Sequence, residues 1–72
     1  MDLHQTTLEH DRGPWLPSKK VCARYHIVMR TLDRWIADPA MQFPKPLYIN
    51  GRRFHSEPEL IAWERKRAAM AA

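Results

Sequence analysis

Three observations predict a small α+β fold for this chain of 72 residues. Two short stretches, one around Val21–Tyr25 and one around Leu32–Ile36, carry apolar residues at helical spacing and follow each other across a gap of a few residues. An Asn50-Gly51 pair then separates two runs of β-type composition, Leu47-Tyr48-Ile49 and Arg52-Arg53-Phe54. Finally, Ser56-Glu57-Pro58-Glu59 has the form of a capping box and opens a third helical stretch. The predicted order is helix, tight turn, helix, hairpin, helix. A chain of this length builds one core of modest stability.

Residues 1–14 read as a flexible acidic tail. They hold no sustained period, carry Asp2, Glu9 and Asp11 against Arg12, and close on the breaker Arg12-Gly13-Pro14. They also lack the apolar segment of a secretory leader. Trp15-Leu16-Pro17 reads as a short apolar entry, with Trp15 packing on the domain. Ser18 is a good N-cap for a first helix through KKVCARY, which places Val21, Cys22 and Tyr25 on its buried face. Cys22 is small enough to let two helices approach. The second helix is expected over MRTLDRWIA, with Leu32, Trp35 and Ile36 inward, and Asp38-Pro39 ends it because a residue before proline avoids the helical region.

Phe43-Pro44-Lys45-Pro46 reads as a stiff extended connector. A type I′ turn at Asn50-Gly51 sets Ile49 opposite Arg52, Tyr48 opposite Arg53 and Leu47 opposite Phe54. On that register Leu47, Ile49 and Phe54 share a face expected to cover the core, while Tyr48 and Arg53 face out and Arg52 reaches from the tip. The last helix runs through ELIAWERKRAA with Leu60 and Trp63 inward and Glu64-Arg65-Lys66-Arg67 mostly solvated. Residues 69–72 read as its frayed end, so the domain is expected over 15–68.

Composition narrows the function. Apolar runs are too short to span a membrane. The single Cys22 makes no internal disulfide, which fits a reducing, cytoplasmic setting. His4, His10, His26 and His55 show no metal-ligand spacing, and neither a glycine-rich phosphate loop nor a nucleophile motif is present. The reading is therefore no enzyme, no metal and no cofactor. The net charge of +4 is unevenly placed: residues 15–72 carry eleven Lys/Arg against five Asp/Glu, a net of +6. A basic body with an acidic tail fits a polyanionic partner.

The run KKVCARYHIVMRTLDRWI, then FPKP, INGRRF and ELIAWE, resembles the AlpA-type regulators and excisionases of phages and integrative elements, small winged helix-turn-helix proteins related to the DNA-binding domain of the MerR family. The likeness covers residues 16–67. It implies sequence-specific binding of double-stranded DNA, as an excisionase or recombination directionality factor that bends attachment-site DNA, with an integrase and further copies of the chain as partners in a bacterial nucleoid. An AlpA-like transcription regulator is the close alternative, and a winged module that binds an acidic protein is a different class. Three positions depart from the family pattern. His26 stands where glycine is common, and histidine tolerates positive φ better than most residues. Val28 replaces a serine cap, so the second helix is expected to start late or weakly capped, and His55 takes the place of an aromatic residue.

The resemblance also assigns the candidate contacts. Met29, Arg30, Thr31, Asp33 and Arg34 lie on the second helix for the major groove. There Arg30 suits guanine O6 and N7, and Thr31 a phosphate or a thymine methyl. For Asp33, plain solvation is the simpler reading beside accepting from a cytosine amino group or orienting Arg34. Asn50, Gly51, Arg52 and Arg53 form the wing, where arginine suits a narrow minor groove. Lys19, Lys20 and Lys45 are phosphate candidates, with the free N–H groups of the first helix beside the first two.

Overall fold

A computed structural model describes residues 13–71. The expected acidic tail, apart from Gly13 and Pro14, lies outside that range, as does Ala72. Strand β1 (Trp15–Pro17) leads into helix α1 (Ser18–Tyr25), helix α2 (Met29–Ala37) and one turn of 3₁₀ helix at Pro39–Met41. Strands β2 (Leu47–Ile49) and β3 (Arg52–Ser56) follow, then helix α3 (Glu57–Ala71). The architecture is α+β, three helices on a three-stranded antiparallel sheet of order β1-β3-β2.

The two tight reversals are set by residues in the left-handed region. His26 ends α1 at φ 55°, and its amide donates to the Ala23 carbonyl. Asn50 (φ 51°) and Gly51 (φ 79°) make the hairpin turn. The pairs Leu47–Phe54, Tyr48–Arg53 and Ile49–Arg52 are those a two-residue turn demands. Helix α2 begins at Met29 behind an extended Val28 that offers no side-chain cap. It ends at Asp38, whose carboxylate accepts from the Ala40 amide and starts the 3₁₀ turn.

The core is Val21, Leu32, Phe43 and Leu60, one residue from each helix plus one from the connector. Rings close around it: Phe43 meets Trp63 edge-on at 4.9 Å, and Trp35 lies 5.8 Å from Trp63. Trp63 Nε1 donates to the Met41 carbonyl at 2.9 Å, which pins α3 to the 3₁₀ turn. FPKP is therefore more than a spacer, because Phe43 is a core residue.

Several expectations are corrected. The hairpin is not alone: β1 pairs along the other edge of β3, Leu16 opposite His55 and Pro17 opposite Phe54. Ser18 is the first residue of α1 and Pro17 stands at the cap without a side-chain bond. The Ser18 hydroxyl instead turns to His55 and Arg53. The hairpin faces are inverted. His55 is buried at 1 % exposure and Arg53 points the same way, toward the helices, whereas Leu47 and Ile49 are exposed. Phe54 is half-buried by lateral neighbours, with Leu47 and Pro17 across from it on either side and the Arg52 guanidinium carbon 5.9 Å from its ring. Polar residues can occupy the inner face because each finds a partner there. Glu64 is not simply solvated, since it accepts from Arg24 Nε at 2.6 Å and from the Tyr25 hydroxyl. Pro14 accepts from the Glu57 amide at 3.0 Å, and α3 stays helical through Ala71.

Gly51 tests the turn in isolation. A Cβ there would meet nothing within 4 Å, so Gly51→Ala adds only backbone strain. It should lower stability by about 1–2 kcal/mol without disturbing packing, read as a fall in unfolding midpoint with an unchanged core NMR fingerprint.

Candidate nucleic-acid interface

Among the described residues, Arg53 ties the hairpin to both α1 and α2. Arg53 Nε donates to Ser18 Oγ at 3.0 Å, Nη1 pairs with Asp33 Oδ1 at 2.8 Å, and Nη2 reaches Met29 Sδ at 3.3 Å. A planar guanidinium suits this fork, since its donors have fixed directions. One residue of β3 thus touches the first residue of α1, the first residue of α2 and the next turn of α2. Met29, Asp33 and Arg53, expected as separate contacts on helix and wing, meet in one cluster. Asp33 therefore pairs with the wing through Arg53 while its side chain stays 55 % exposed. Arg53 does not face out as the hairpin register suggested, because all three of its guanidinium nitrogens are engaged within the fold.

Arg30 and Arg34 are exposed on α2, one helical turn apart and on the face away from Leu32. Thr31 is half-buried between that face and the core. Arg52, Asn50 and Gly51 are exposed at the hairpin tip. Lys19 and Lys20 are exposed at the start of α1, directly after Ser18, and Lys45 is exposed in the connector. The arrangement presents two exposed cations on a helix, a cationic hairpin tip anchored to that helix, and lysines at the head of α1. Such a surface can dock a polyanion and place an α-helix against it in one orientation.

Beneath the cluster sits His55. Its Nε2 lies 3.0 Å from Ser18 Oγ, and its ring is edge-on to Phe43. Its Nδ1 is the one buried side-chain nitrogen or oxygen among the described residues with no hydrogen-bond partner. An imidazolium would need a second acceptor there and would sit beside the Arg53 cation. Burial first, and Arg53 second, hold its pKa below the ordinary value. Sequence reasoning missed His55 as an anchor. The signal was present in its replacing an aromatic residue, which marked the position as interior.

A second cluster joins α1 to α3. Arg24 donates to Glu64 and to Glu57 Oε2 at 3.2 Å. The hydrogen bonds from Arg24, more than any other influence, hold the Glu64 carboxyl below its usual range. Burial first, and the Glu64 carboxylate second, push the Tyr25 hydroxyl well up. These acids are neutralised within the fold and do not face the exposed cations of α2.

Among the described residues no group of three or more His, Cys, Asp or Glu is placed to hold a metal ion, and no helix is long and apolar enough to cross a membrane. No protein-family model, curated protein or solved structure matches the chain.

The two wing arginines should separate by stability. Arg53→Ala removes a hydrogen bond to the buried Ser18 and an ion pair to the largely exposed Asp33 and should cost about 1 kcal/mol, whereas Arg52→Ala should stay within about 0.5 kcal/mol of the wild type, both by urea unfolding. His55 gives a pH signature. Its folded pKa is depressed, so the unfolded chain takes up a proton first as pH falls. Its contribution to stability is complete above about pH 6.5, the unfolded value, and is lost as pH drops through the folded one. The Glu64 contribution is lost only below about pH 4.5. Unfolding midpoints should therefore start to fall between pH 6.5 and 5. A flat profile there, or a His55 ring that titrates at its ordinary value by NMR, would contradict the account.

Proposed function

We propose that this protein is a sequence-specific double-stranded DNA-binding protein in which α2 enters the major groove and the β2–β3 hairpin acts as a wing. The observation that carries this reading is the anchored wing: Arg53 fixes the hairpin to α2, while Arg30, Arg34 and Arg52 stay exposed on the parts it joins. Arg30 and Arg34 contact bases or phosphates, Arg52 enters the minor groove or meets its phosphates, and Arg53 acts as a positioning residue. Lys19, Lys20 and Lys45 contribute to the electrostatic footprint. The protein has no catalytic role in this reading.

Its resemblance to excisionases supports a narrower role, as a directionality factor of a mobile element that bends attachment-site DNA for an integrase. Bending costs about 1–6 kcal/mol, which contacts from adjacent copies offset. An AlpA-like promoter regulator would use the same surface. Binding sites within an attachment site favour the first role, and one promoter-proximal site favours the second. Either role places the protein in the bacterial cytoplasm, on the nucleoid.

Fluorescence anisotropy on a generic labelled duplex across a salt series tests the binding reading. Affinity should fall steeply with salt, and Arg52→Ala and Arg30→Ala should each flatten the log–log slope by roughly one unit. No duplex binding at low salt would overturn the proposal in favour of a protein-binding module with a winged fold.

A further inference from the structure

The least explained feature of the interface is apolar. His26, Ile27 and Val28 are the residues between the end of α1 and the start of α2. Ile27 packs against the core, but Val28 is 65 % exposed. Met29, the first residue of α2, is 43 % exposed. Val28 holds the N-cap position, where Ser, Thr, Asp or Asn would satisfy a free N–H of the first turn, and its side chain makes no such bond. The chain thus forgoes a cap and leaves a branched apolar group in water, two residues before the exposed Arg30. Met29 is tethered at its sulfur by Arg53 Nη2 at 3.3 Å, with Cys22 Sγ at 3.9 Å, so little rotamer freedom remains to be lost on contact.

A duplex supplies a reason for both choices. The N-terminal residues of a helix in the major groove are those that reach base edges. The apolar group displayed there is the 5-methyl of thymine. A methylated cytosine carries the same group on the same ring position. We propose that Val28, with Met29 beside it, is a specificity determinant that packs on the 5-methyl group of a thymine at the target site. The inference rests on the DNA-binding reading and deepens it, since it names the base feature that the helix start selects.

Selection from a randomised duplex pool yields the preferred site. Anisotropy then compares that duplex with copies in which each thymine in turn is deoxyuridine, and with copies in which each cytosine is 5-methylcytosine, for the wild type and Val28→Ser. Serine restores a cap at this position, so the variant should fold, as its unfolding curve will show. At one or two thymines the wild type should lose about fourfold in affinity without the methyl, the worth of one buried methyl-sized group. Val28→Ser should bind the thymine and uridine copies alike. A gain seen only on methylating a cytosine would move the contact to 5-methylcytosine and overturn the thymine assignment. Uridine copies that bind as well as thymine at every position, with salt-dependent binding intact, would overturn the proposal while leaving the DNA-binding reading standing. Absence of any duplex binding would overturn both.

Discussion

The placement of the wing depends on one guanidinium. Arg53 is the point where β3, α1 and α2 meet, and its partners Ser18, Met29 and Asp33 come from the starts of both helices and the following turn of α2. Exposed ion pairs add little to stability. The importance of this one is geometric: three directed contacts from a planar group fix an orientation that a hydrophobic contact alone would leave loose. His55 beneath it completes the constraint through the shared Ser18 hydroxyl. Arg53 Nε donates to that oxygen, whose own proton can then be donated to His55 Nε2. A neutral imidazole is the form that fits such a site, as its depressed pKa reflects.

The rest of the molecule supports this joint with a small core and a wide aromatic shell. Four buried apolar residues among those described are few for a stable domain, and each comes from a different part of the chain. Trp35, Trp63, Tyr25 and Phe43 extend the contact area at centroid separations of 4.9 to 5.9 Å. Such pairs add about 0.5–1.5 kcal/mol each beyond burial. Arg24, bridging Glu57 and Glu64, ties α1 to the first two turns of α3. The helices are thereby held on one side of the sheet, and the hairpin tip is left free.

What could be read from the sequence was local. The hairpin register followed from Asn50-Gly51 alone, because only a two-residue turn satisfies positive φ at both positions. The limits of α2 followed from an apolar period closed by Asp38-Pro39. The tight turn at His26 was expected from the family resemblance, and histidine's tolerance of the left-handed region lets it stand where glycine is common. What could not be read was non-local. Strand β1 is three residues with a proline, and its partner lies about forty positions away, so nothing near it announces pairing. The inverted hairpin face has the same origin. Alternation named Phe54 as the inward residue, but the inner face is decided by Ser18, which offers His55 and Arg53 the partners that make their burial tolerable. Asp33 was ambiguous because its partner sits twenty positions on, in another element. Of the candidate site, the exposed cations were legible, whereas the joint that orders them was not.

That division bears on the charge of the surface. Residues 15–72 carry five acids, and at least three of them, Asp33, Glu57 and Glu64, are paired with just two arginines, Arg53 and Arg24. Asp38 is turned to the Ala40 amide. The folding contacts therefore consume most of the negative charge and little of the positive charge, so the exposed surface is more basic than the composition suggests. A nonspecific polycation would attract a duplex equally well in any orientation. On the proposed DNA-binding reading, the cations sit on two elements that the Arg53 joint holds relative to each other, and that would convert a general attraction into a single docking geometry. On that reading, selection among sequences falls to exposed side chains outside the joint, namely Arg30, Arg34, Arg52 and Val28 at the start of α2.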